Sequence, residues 1–255
     1  MDKEERGSGI LSTVVTTSRI LELLSSEGGA FPVSISKKLN LSRSKVHRLL
    51  ATLRELDYVE ERHDGRYVLT FRLFEMGNTV PFKKRLIDTA RPSMLRLAQL
   101  TGETVNNGVL YDDRVLYIDK VEAVTHLKLD RSIGSNDPLH NTSLGKVLLA
   151  FLDPEEMHRI LSRLELNPTT RNTITDREEL LEELALVRER GYALDLQELS
   201  MDIRCVAAPV IYKSGKICSA VSVSGPAGRF SLETAEKLVP DLQATVREIS
   251  RMIEA

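Results

Sequence analysis

The segment Ser42–Leu56, which reads SRSKVHRLLATLREL, decides the fold of the N-terminal part of the chain. Serine is favoured at the position before a helix, because its hydroxyl accepts a backbone N–H group of the first turn. Apolar residues then recur with the spacing of one helical face, at Val46, Leu49, Leu50, Leu53 and Leu56. The segment therefore predicts an amphipathic helix that Ser42 caps and that ends near Leu56.

Two further helices are predicted before this segment. Thr16–Ser26 carries apolar residues at helical spacing, and Gly28-Gly29 ends that helix. Pro32 precedes a short helix over Ser34–Leu39, and Asn40-Leu41 forms a tight turn before Ser42. A helix, a turn and a second helix in this order are typical of a helix-turn-helix unit.

Two short strands are predicted after the segment. Tyr58–Arg62 and Arg66–Leu69 alternate in polarity, and His63-Asp64-Gly65 between them is a hairpin turn. Three helices followed by a hairpin give the order of a winged helix-turn-helix domain.

Positive charge is concentrated in the same region. Val33–Arg54 contains six basic residues in 22 positions and no acidic residue, although the whole chain has a net charge of −2. Neutralisation of phosphates supplies most non-specific affinity for DNA, so a local basic patch is the expected footprint. A solvated basic face and a protein-interaction module are the alternative interpretations of this pattern.

The predicted DNA contacts follow from the geometry of the motif, in which the N-terminal residues of the second helix enter the major groove. Arginine pairs bidentately with guanine, and Ser, Lys and His contact bases or phosphates. The helix residues predicted to bind DNA are Ser42, Arg43, Ser44, Lys45, His47 and Arg48. Arg62 and Arg66 flank the wing turn and are predicted to reach the adjacent backbone or minor groove.

The remainder of the chain predicts an α+β fold. Phe71–Arg91 is a connecting helical stretch that breaks near Pro81, and Lys83–Leu100 is a helix with Pro92 inside or near its first turn. Strands are predicted at Thr104–Leu110, Val115–Val121, Leu127–Leu129, Tyr192–Asp195, Arg204–Ile211 and Ile217–Ser224, and helices at Leu144–Leu152, Pro154–Leu161, Asp176–Arg190 and from Ser231 onward. Hairpin signals at residues 111–114 and 213–216 favour an antiparallel sheet. We divide the chain into a tail (1–15), a winged helix-turn-helix domain (16–78), a linker helix region (79–91) and a second domain (92–255).

Composition excludes several classes of protein. Cys205 and Cys218 form no CxxC pair, so neither a disulfide framework nor a zinc site is predicted. The N-terminal residues show no signal-peptide pattern, and no apolar run reaches the roughly 18 residues of a membrane span. We therefore expect a cytoplasmic protein with no metal, no cofactor and no contact with membranes.

Several spaced motifs resemble the IclR family of bacterial transcriptional regulators, from about Val15 to the end. The motifs are Arg19–Leu24, Lys45–Leu50, Asp64–Tyr67, Thr142–Lys146, Gly191–Asp195, Arg204–Pro209 and Ser222–Pro226. The resemblance implies a winged-helix domain, a linker helix and a GAF- or profilin-like domain that binds an effector. It also implies a homodimer or homotetramer that binds a palindromic DNA operator, and regulation by a small organic or sugar-derived acid. Repression is the expected outcome, and activation is the alternative.

A pocket for a small acid needs hydrogen-bond donors within an apolar shell. The backbone N–H groups of Ser143 and Leu144, where a loop enters a helix, suit a carboxylate. Ser222 and Ser224 alternate on one strand, so their hydroxyls face one side. By resemblance these four residues, together with Asp195 and Cys205, match the effector pocket of the family, and His140 is predicted as a further contact.

The sequence also bears on two other functions, those of an enzyme and of a protein-binding adaptor. Cys205 with His140 or His126 would supply a thiol nucleophile and a base, but nothing in the sequence brings them together, so an enzyme is not predicted. A winged-helix adaptor that binds proteins instead of DNA is the second rival, and the basic stretch Val33–Arg54 argues against it.

Overall fold

The computed structural model describes residues 10–122 and 132–253, apart from the side chains of residues 81–84. The chain divides into two compact units, Met1–Pro81 and Phe82–Ala255. The predicted strand Leu127–Leu129 lies outside the described residues. Within the described residues, no helix is both long and apolar enough to cross a membrane.

The first unit is a winged helix-turn-helix domain. Its elements are α1 (Ser12–Glu27), α2 (Pro32–Lys38), α3 (Arg43–Glu55), β1 (Val59–Glu61), β2 (Tyr67–Leu69) and α4 (Phe71–Asn78). β1 and β2 form the antiparallel hairpin that the sequence predicts. Ala30 exchanges two backbone hydrogen bonds with Tyr67, which ties the loop before α2 to the wing. The core of this unit contains Ile20, Leu24, Ile35, Val46, Leu50, Leu53, Val59 and Tyr67.

Apart from shifts of one residue at the ends of elements, the first unit differs from the sequence prediction in three ways. α1 begins at Ser12, four residues before the predicted Thr16, although its first turn buries nothing. α2 begins at Pro32 because proline suits the first helical position, where its missing N–H group is not needed. Leu56 does not extend the apolar face of α3: it follows the last helical residue and its side chain is 55% exposed.

The second unit contains an antiparallel sheet covered by helices. Its helices are α5 (Pro81–Thr101), α6 (Ser143–Ala150), α7 (Pro154–Arg163), α8 (Arg177–Arg190) and α9 (Leu232–Ile253). Its strands are β3 (Thr104–Tyr111), β4 (Arg114–Val121), β5 (Asn136–Pro138), β6 (Ala193–Leu196), β7 (Ile203–Ile211) and β8 (Ile217–Pro226). Among the described residues these strands form one sheet in the order β5-β4-β3-β8-β7-β6. The predicted α+β class is confirmed.

The two faces of the sheet have separate cores. One face packs against α5 and α9, through residues such as Met94, Val206, Val223 and Leu242. The other face packs against α6 and α8, through residues such as Tyr117, Ala207, Leu148 and Leu184. We call the second one the α6 face.

Two elements depart from the prediction in the second unit. α5 begins at Pro81 instead of Lys83 and continues through Pro92, so the helix does not stop at the predicted limit of the linker region. β5 was not predicted, because three residues that include Pro138 carry no alternating pattern.

Candidate nucleic-acid interface and ligand site

The entry to α3 is fixed by a compact set of hydrogen bonds. Ser42 caps the helix as predicted, and its Oγ accepts the backbone N–H of Lys45 at 3.3 Å. Asn40 has a φ of 52°, which turns the chain between α2 and α3. Ser36 Oγ donates to the carbonyl of Leu41 at 2.6 Å and holds this turn against α2. The N-terminal end of α3 is therefore rigidly placed relative to α2.

The outer face of α3 carries the predicted DNA-binding side chains. Val46, Leu50 and Leu53 are buried, whereas Arg43, Ser44, His47 and Arg48 are exposed and Lys45 is half-buried. Among the described residues, Arg43, Lys45 and Arg48 have no acidic partner. The first two turns of α3 therefore present positive charge that no acidic side chain of the described residues neutralises.

The wing presents its arginines differently. Arg62 pairs with Glu60 at 3.1 Å, and Arg66 pairs with Asp64 at 2.8 Å. Hydrogen bonds from the Arg66 backbone and side chain lower the pKa of Asp64, which keeps this carboxylate ionised beside the arginine. Gly65, with a φ of 84°, closes the hairpin. Arg62 and Arg66 are exposed but partly neutralised. They are therefore weaker candidates for binding a phosphate than Arg43 and Arg48 at the start of α3.

The predicted effector residues of the strands lie in one row across the sheet. Cys205 is the register partner of both Asp195 on β6 and Ser224 on β8, and Ser224 is the partner of Thr104 on β3. Ser222 occupies the next position on the same face, opposite Ala207. Ala207 belongs to the core beneath α6, so the whole row faces that helix. The row is enclosed: Asp195, Ser222 and Ser224 are buried and Cys205 is half-buried.

Asn106 joins the two serines and was missed by the sequence prediction. Its Nδ2 donates to Ser224 Oγ at 3.2 Å and lies 3.4 Å from Ser222 Oγ. Its Oδ1 is buried without a partner among the described residues, which leaves an unsatisfied acceptor beside the serines. The alternation Thr104, Asn106, Gly108 within a predicted strand was the signal that could have placed it on the serine face.

α6 begins on the same face of the sheet. Thr142 caps it by accepting the N–H of Gly145 at 3.0 Å, whereas the N–H groups of Ser143 and Leu144 have no acceptor within the described residues. Leu144 packs over β3: a side chain at Gly108 would meet Leu144 Cδ1 at 3.2 Å. Gly145 lies so close to the Leu139 backbone that a Cβ atom would collide with the Leu139 carbonyl. The helix start is thus held close to the sheet with two free donors.

A buried ion pair connects α6 to Asp195. Lys146 Nζ donates to Glu198 Oε1 at 2.6 Å and lies 3.5 Å from Glu183 Oε1, and its side chain is 2% exposed. The backbone N–H of Glu198 donates to Asp195 Oδ1 at 2.7 Å. Burial raises the pKa of Asp195 to about 7, with the Glu198 carboxylate adding to the effect. Burial also raises the pKa of Glu198, although Lys146 opposes it.

His140 lies apart from the strand residues. Its Nε2 is 3.1 Å from the carbonyl oxygen of Asn167, and it lines a cavity of about 520 Å³ together with Arg163 and Asn167. Burial lowers its pKa, which favours the neutral ring. None of the predicted strand residues lines this cavity. His126 lies outside the described residues.

The arrangement on the α6 face suits the recognition of a small anion. The donors and acceptors there are the backbone N–H groups of Ser143 and Leu144, the hydroxyls of Ser222 and Ser224, and the amide of Asn106. The carboxyl of Asp195, with a pKa of about 7, adds a group that is half-protonated near pH 7. Within the described residues, no group of three or more His, Cys, Asp and Glu side chains is placed to hold a metal ion.

Two family models match the chain, one to each unit. Residues 13–63 match the IclR helix-turn-helix domain, and residues 82–251 match the C-terminal domain described as bacterial transcriptional regulator IclR C-terminal.

Curated relatives and solved structures give the same result over nearly the full length. The transcriptional regulator KdgR of Dickeya chrysanthemi is 38% identical over 241 residues, which is 94% of this chain and 79% of that protein. The transcriptional repressor AllR of Escherichia coli K12 is 31% identical, over 91% of this chain and 86% of that protein. The crystal structure of IclR from Thermotoga maritima has a TM-score of 0.76 at 32% identity, over 95% of this chain and 99% of that one. These relatives are transcriptional regulators and not enzymes.

Proposed function

Because the chain belongs to the IclR family of bacterial transcriptional regulators, we propose that it is a repressor whose binding to a palindromic operator is controlled by a small acid. The observation that carries the proposal is that the first unit has a basic helix start without acidic partners among the described residues, while the second has a buried row of polar side chains on the α6 face. AllR, a relative at 31% identity, is named as a repressor, which supports repression over activation. The repressor acts in the cytoplasm, where its DNA operator lies.

The acid is a small organic or sugar-derived carboxylate. Its carboxylate accepts the N–H groups of Ser143 and Leu144, as anions do at helix N-termini. Its remaining oxygens bond to Ser222, Ser224 and Asp195, and a hydroxyl of a sugar acid would donate to the unpartnered Oδ1 of Asn106. An unsatisfied buried acceptor of this kind costs free energy until a ligand supplies a donor.

Dimerisation is part of the proposal because one recognition helix reads only a short half-site. The exposed apolar side chains of α4 support it: Phe71 is 86% exposed, Phe74 is 65% exposed, and no residue of α4 is buried. Leu73 and Met76 on the same helix are half-buried and exposed, respectively. Several exposed apolar side chains on one short helix are typical of an association surface. Sedimentation of the intact protein distinguishes a homodimer from a homotetramer.

The effector site is tested by a thermal-shift screen of small carboxylic acids with the intact protein. We expect at least one acid to raise the melting temperature of the wild type. Ser224→Ala removes a hydroxyl that faces the ligand and should weaken the same acid about tenfold, as expected for the removal of a hydrogen bond to a charged group. The matched control is Ser162→Ala, an exposed serine on α7. An acid that binds Ser222→Ala and Ser224→Ala as tightly as the wild type would refute the site.

The pH dependence of acid binding follows from Asp195. Below a pH of about 7 the Asp195 carboxyl is mostly neutral and donates to an oxygen of the ligand, and above that pH it is charged and repels the ligand anion. We therefore expect the affinity of the acid to fall as pH rises above about 7, by up to about tenfold per pH unit. Isothermal titration from pH 6 to 8.5 measures this slope.

Asp195→Asn is the matched variant for the pH profile. The amide accepts the Glu198 N–H as Asp195 Oδ1 does, and it donates at every pH. Acid binding by Asp195→Asn should therefore be independent of pH over this range. The same slope in both proteins would show that another group sets the pH dependence.

A further inference from the structure

A basic cavity of about 520 Å³ lies in the second unit between α8, the β7–β8 hairpin and the C-terminal half of α9. Among the described residues, four of its lining side chains are cationic and none is a carboxylate; the cations are Arg188, Lys213, Arg247 and Arg251. None of the predicted effector residues lines it. The cavity is therefore separate from the α6-face site, and its volume falls within the range of small-molecule pockets.

The two arginines of α9 give the clearest indication that the cavity binds an anion. Arg247 and Arg251 are four residues apart, so they lie on one face of the helix, where like charges destabilise it. Both are exposed, and neither has an ion pair or a side-chain hydrogen bond among the described residues. By contrast, Lys237 on the same helix pairs with Glu233 at 2.7 Å. A pair of repelling arginines at a cavity, without a neutralising partner in the described part of the chain, is better explained by a ligand than by folding.

Arg188 is the third cation of the cavity lining, and it also stabilises the fold around it. Its Nη1 donates to the carbonyls of Ala150 and Leu152, at 2.8 and 3.1 Å, and its guanidinium lies 5.9 Å from the centre of the Phe151 ring. These interactions fix Arg188 at the C-terminal end of α6. They also make it a poor residue for mutagenesis, because its removal would disturb that helix.

The floor of the cavity is apolar. Phe151, Pro209 and Val246 belong to its lining; Pro209 and Val246 are buried and Phe151 is half-buried. An apolar floor favours the body of an organic ligand, whereas guanidinium groups bind carboxylate and phosphate oxygens in a bidentate fork. The lining therefore selects a compact molecule with an apolar body and more than one negative charge.

We propose that this cavity is a second ligand site, which binds a small organic dianion that carries carboxylate or phosphate groups on an apolar body. Arg247 and Arg251 hold the charged groups, with Arg188 and Lys213 adding positive potential, and Phe151 and Val246 contact the body. This second site is not part of the proposed effector function. A ligand can bind there whether or not the α6-face site, which contains Ser222 and Ser224, is occupied.

Isothermal titration of the intact protein with four probes tests the site. Phthalate and phenyl phosphate carry two charges on a ring and distinguish carboxylate from phosphate; benzoate has one charge, and inorganic phosphate has no ring. We expect at least one of the first two to bind about tenfold more tightly than both benzoate and inorganic phosphate. Replacing both arginines, as Arg247→Gln/Arg251→Gln, should weaken that probe at least about tenfold, as expected for the removal of charge-assisted hydrogen bonds.

Three control measurements show whether a loss of probe binding is specific to Arg247 and Arg251. Lys237→Gln removes an exposed cation from the same helix and should leave probe binding unchanged, as should Ser224→Ala in the other site. The double arginine variant should melt at the wild-type temperature or slightly above it, because it removes a repulsion.

Four results would overturn the proposal. One is equal affinity of the double arginine variant and the wild type, and another is failure of the probe to bind Ser224→Ala. The third is a lowered melting temperature of the double variant, which would assign the arginines to folding. The fourth is absence of millimolar binding by every probe; a changed oligomeric state of the double variant would then identify the cavity as a protein interface.

Discussion

Replacing both arginines at the start of the recognition helix, as Arg43→Gln/Arg48→Gln, is expected to weaken operator binding by at least about thirtyfold. Each arginine that contacts a base edge or phosphate contributes about 1–3 kcal/mol to specific binding, and the two lie on the exposed face of the first two turns of α3. The slope of affinity against salt concentration should also become shallower, by about 0.9 for each phosphate that the variant no longer neutralises. Fluorescence anisotropy of labelled operator DNA at several salt concentrations measures both quantities.

Arg54→Gln is the matched control for this variant. Arg54 lies in the last turn of the same helix and pairs with Glu61 at 3.2 Å, so it is both distant from the helix start and already neutralised. Its replacement should change operator affinity by less than about threefold, which is the scale of a surface ion pair. If Arg54→Gln weakened binding as much as the double variant did, net charge and not the start of α3 would govern binding.

Lys146→Met should destabilise the second unit by about 3–5 kcal/mol, the cost of leaving one member of a buried ion pair alone. Lys146 is the only cation that pairs with Glu198 among the described residues, and the other carboxylate oxygen of Glu198 already has no partner there. Glu183 would keep its second partner, Arg190, at 2.8 Å. Urea unfolding followed by circular dichroism measures the change, and the free energy of unfolding of Lys237→Met, which breaks an exposed pair, should change by less than about 0.5 kcal/mol.

The double variant Lys146→Met/Glu198→Gln separates charge from packing. Glutamine carries no charge, so the double variant should recover most of the stability that Lys146→Met loses. It keeps the backbone N–H of residue 198, which holds Asp195 Oδ1. A double variant as unstable as Lys146→Met would show that the lysine acts through its methylene packing and not through the ion pair.

The local elements of both units were predictable because their signals lie within a few neighbouring residues. Ser42 followed by an apolar face predicts α3, and Asp176 with Gly191 marks the ends of α8, where the structure has a capping side chain and a left-handed glycine. Ends without such signals were misplaced. α1 extends back to Ser12 through residues whose exposed side chains create no apolar pattern.

The site was only partly predictable because its connections run across the sheet. The resemblance to a family placed Ser222, Ser224, Cys205 and Asp195, and the register aligns them in neighbouring positions on one face. Lys146 is different: it stands in the apolar run of α6, and its partner Glu198 is 52 residues away. No spacing rule links two residues so far apart, so the ion pair is visible only once the chain has folded.

The most direct test of a ligand-controlled repressor is the affinity of the intact protein for the DNA upstream of its own gene, with and without the acid found by screening. We predict specific, salt-sensitive binding that the acid weakens by about 5- to 150-fold, the usual range of coupling between two sites. In Ser224→Ala the DNA affinity without acid should be retained, and about tenfold more acid should be needed for the same effect. Equal affinity for this DNA and for unrelated DNA at about 150 mM salt, where specific and non-specific binding normally differ by orders of magnitude, would contradict the account. Equal binding by Arg43→Gln/Arg48→Gln and the wild type would contradict it as well.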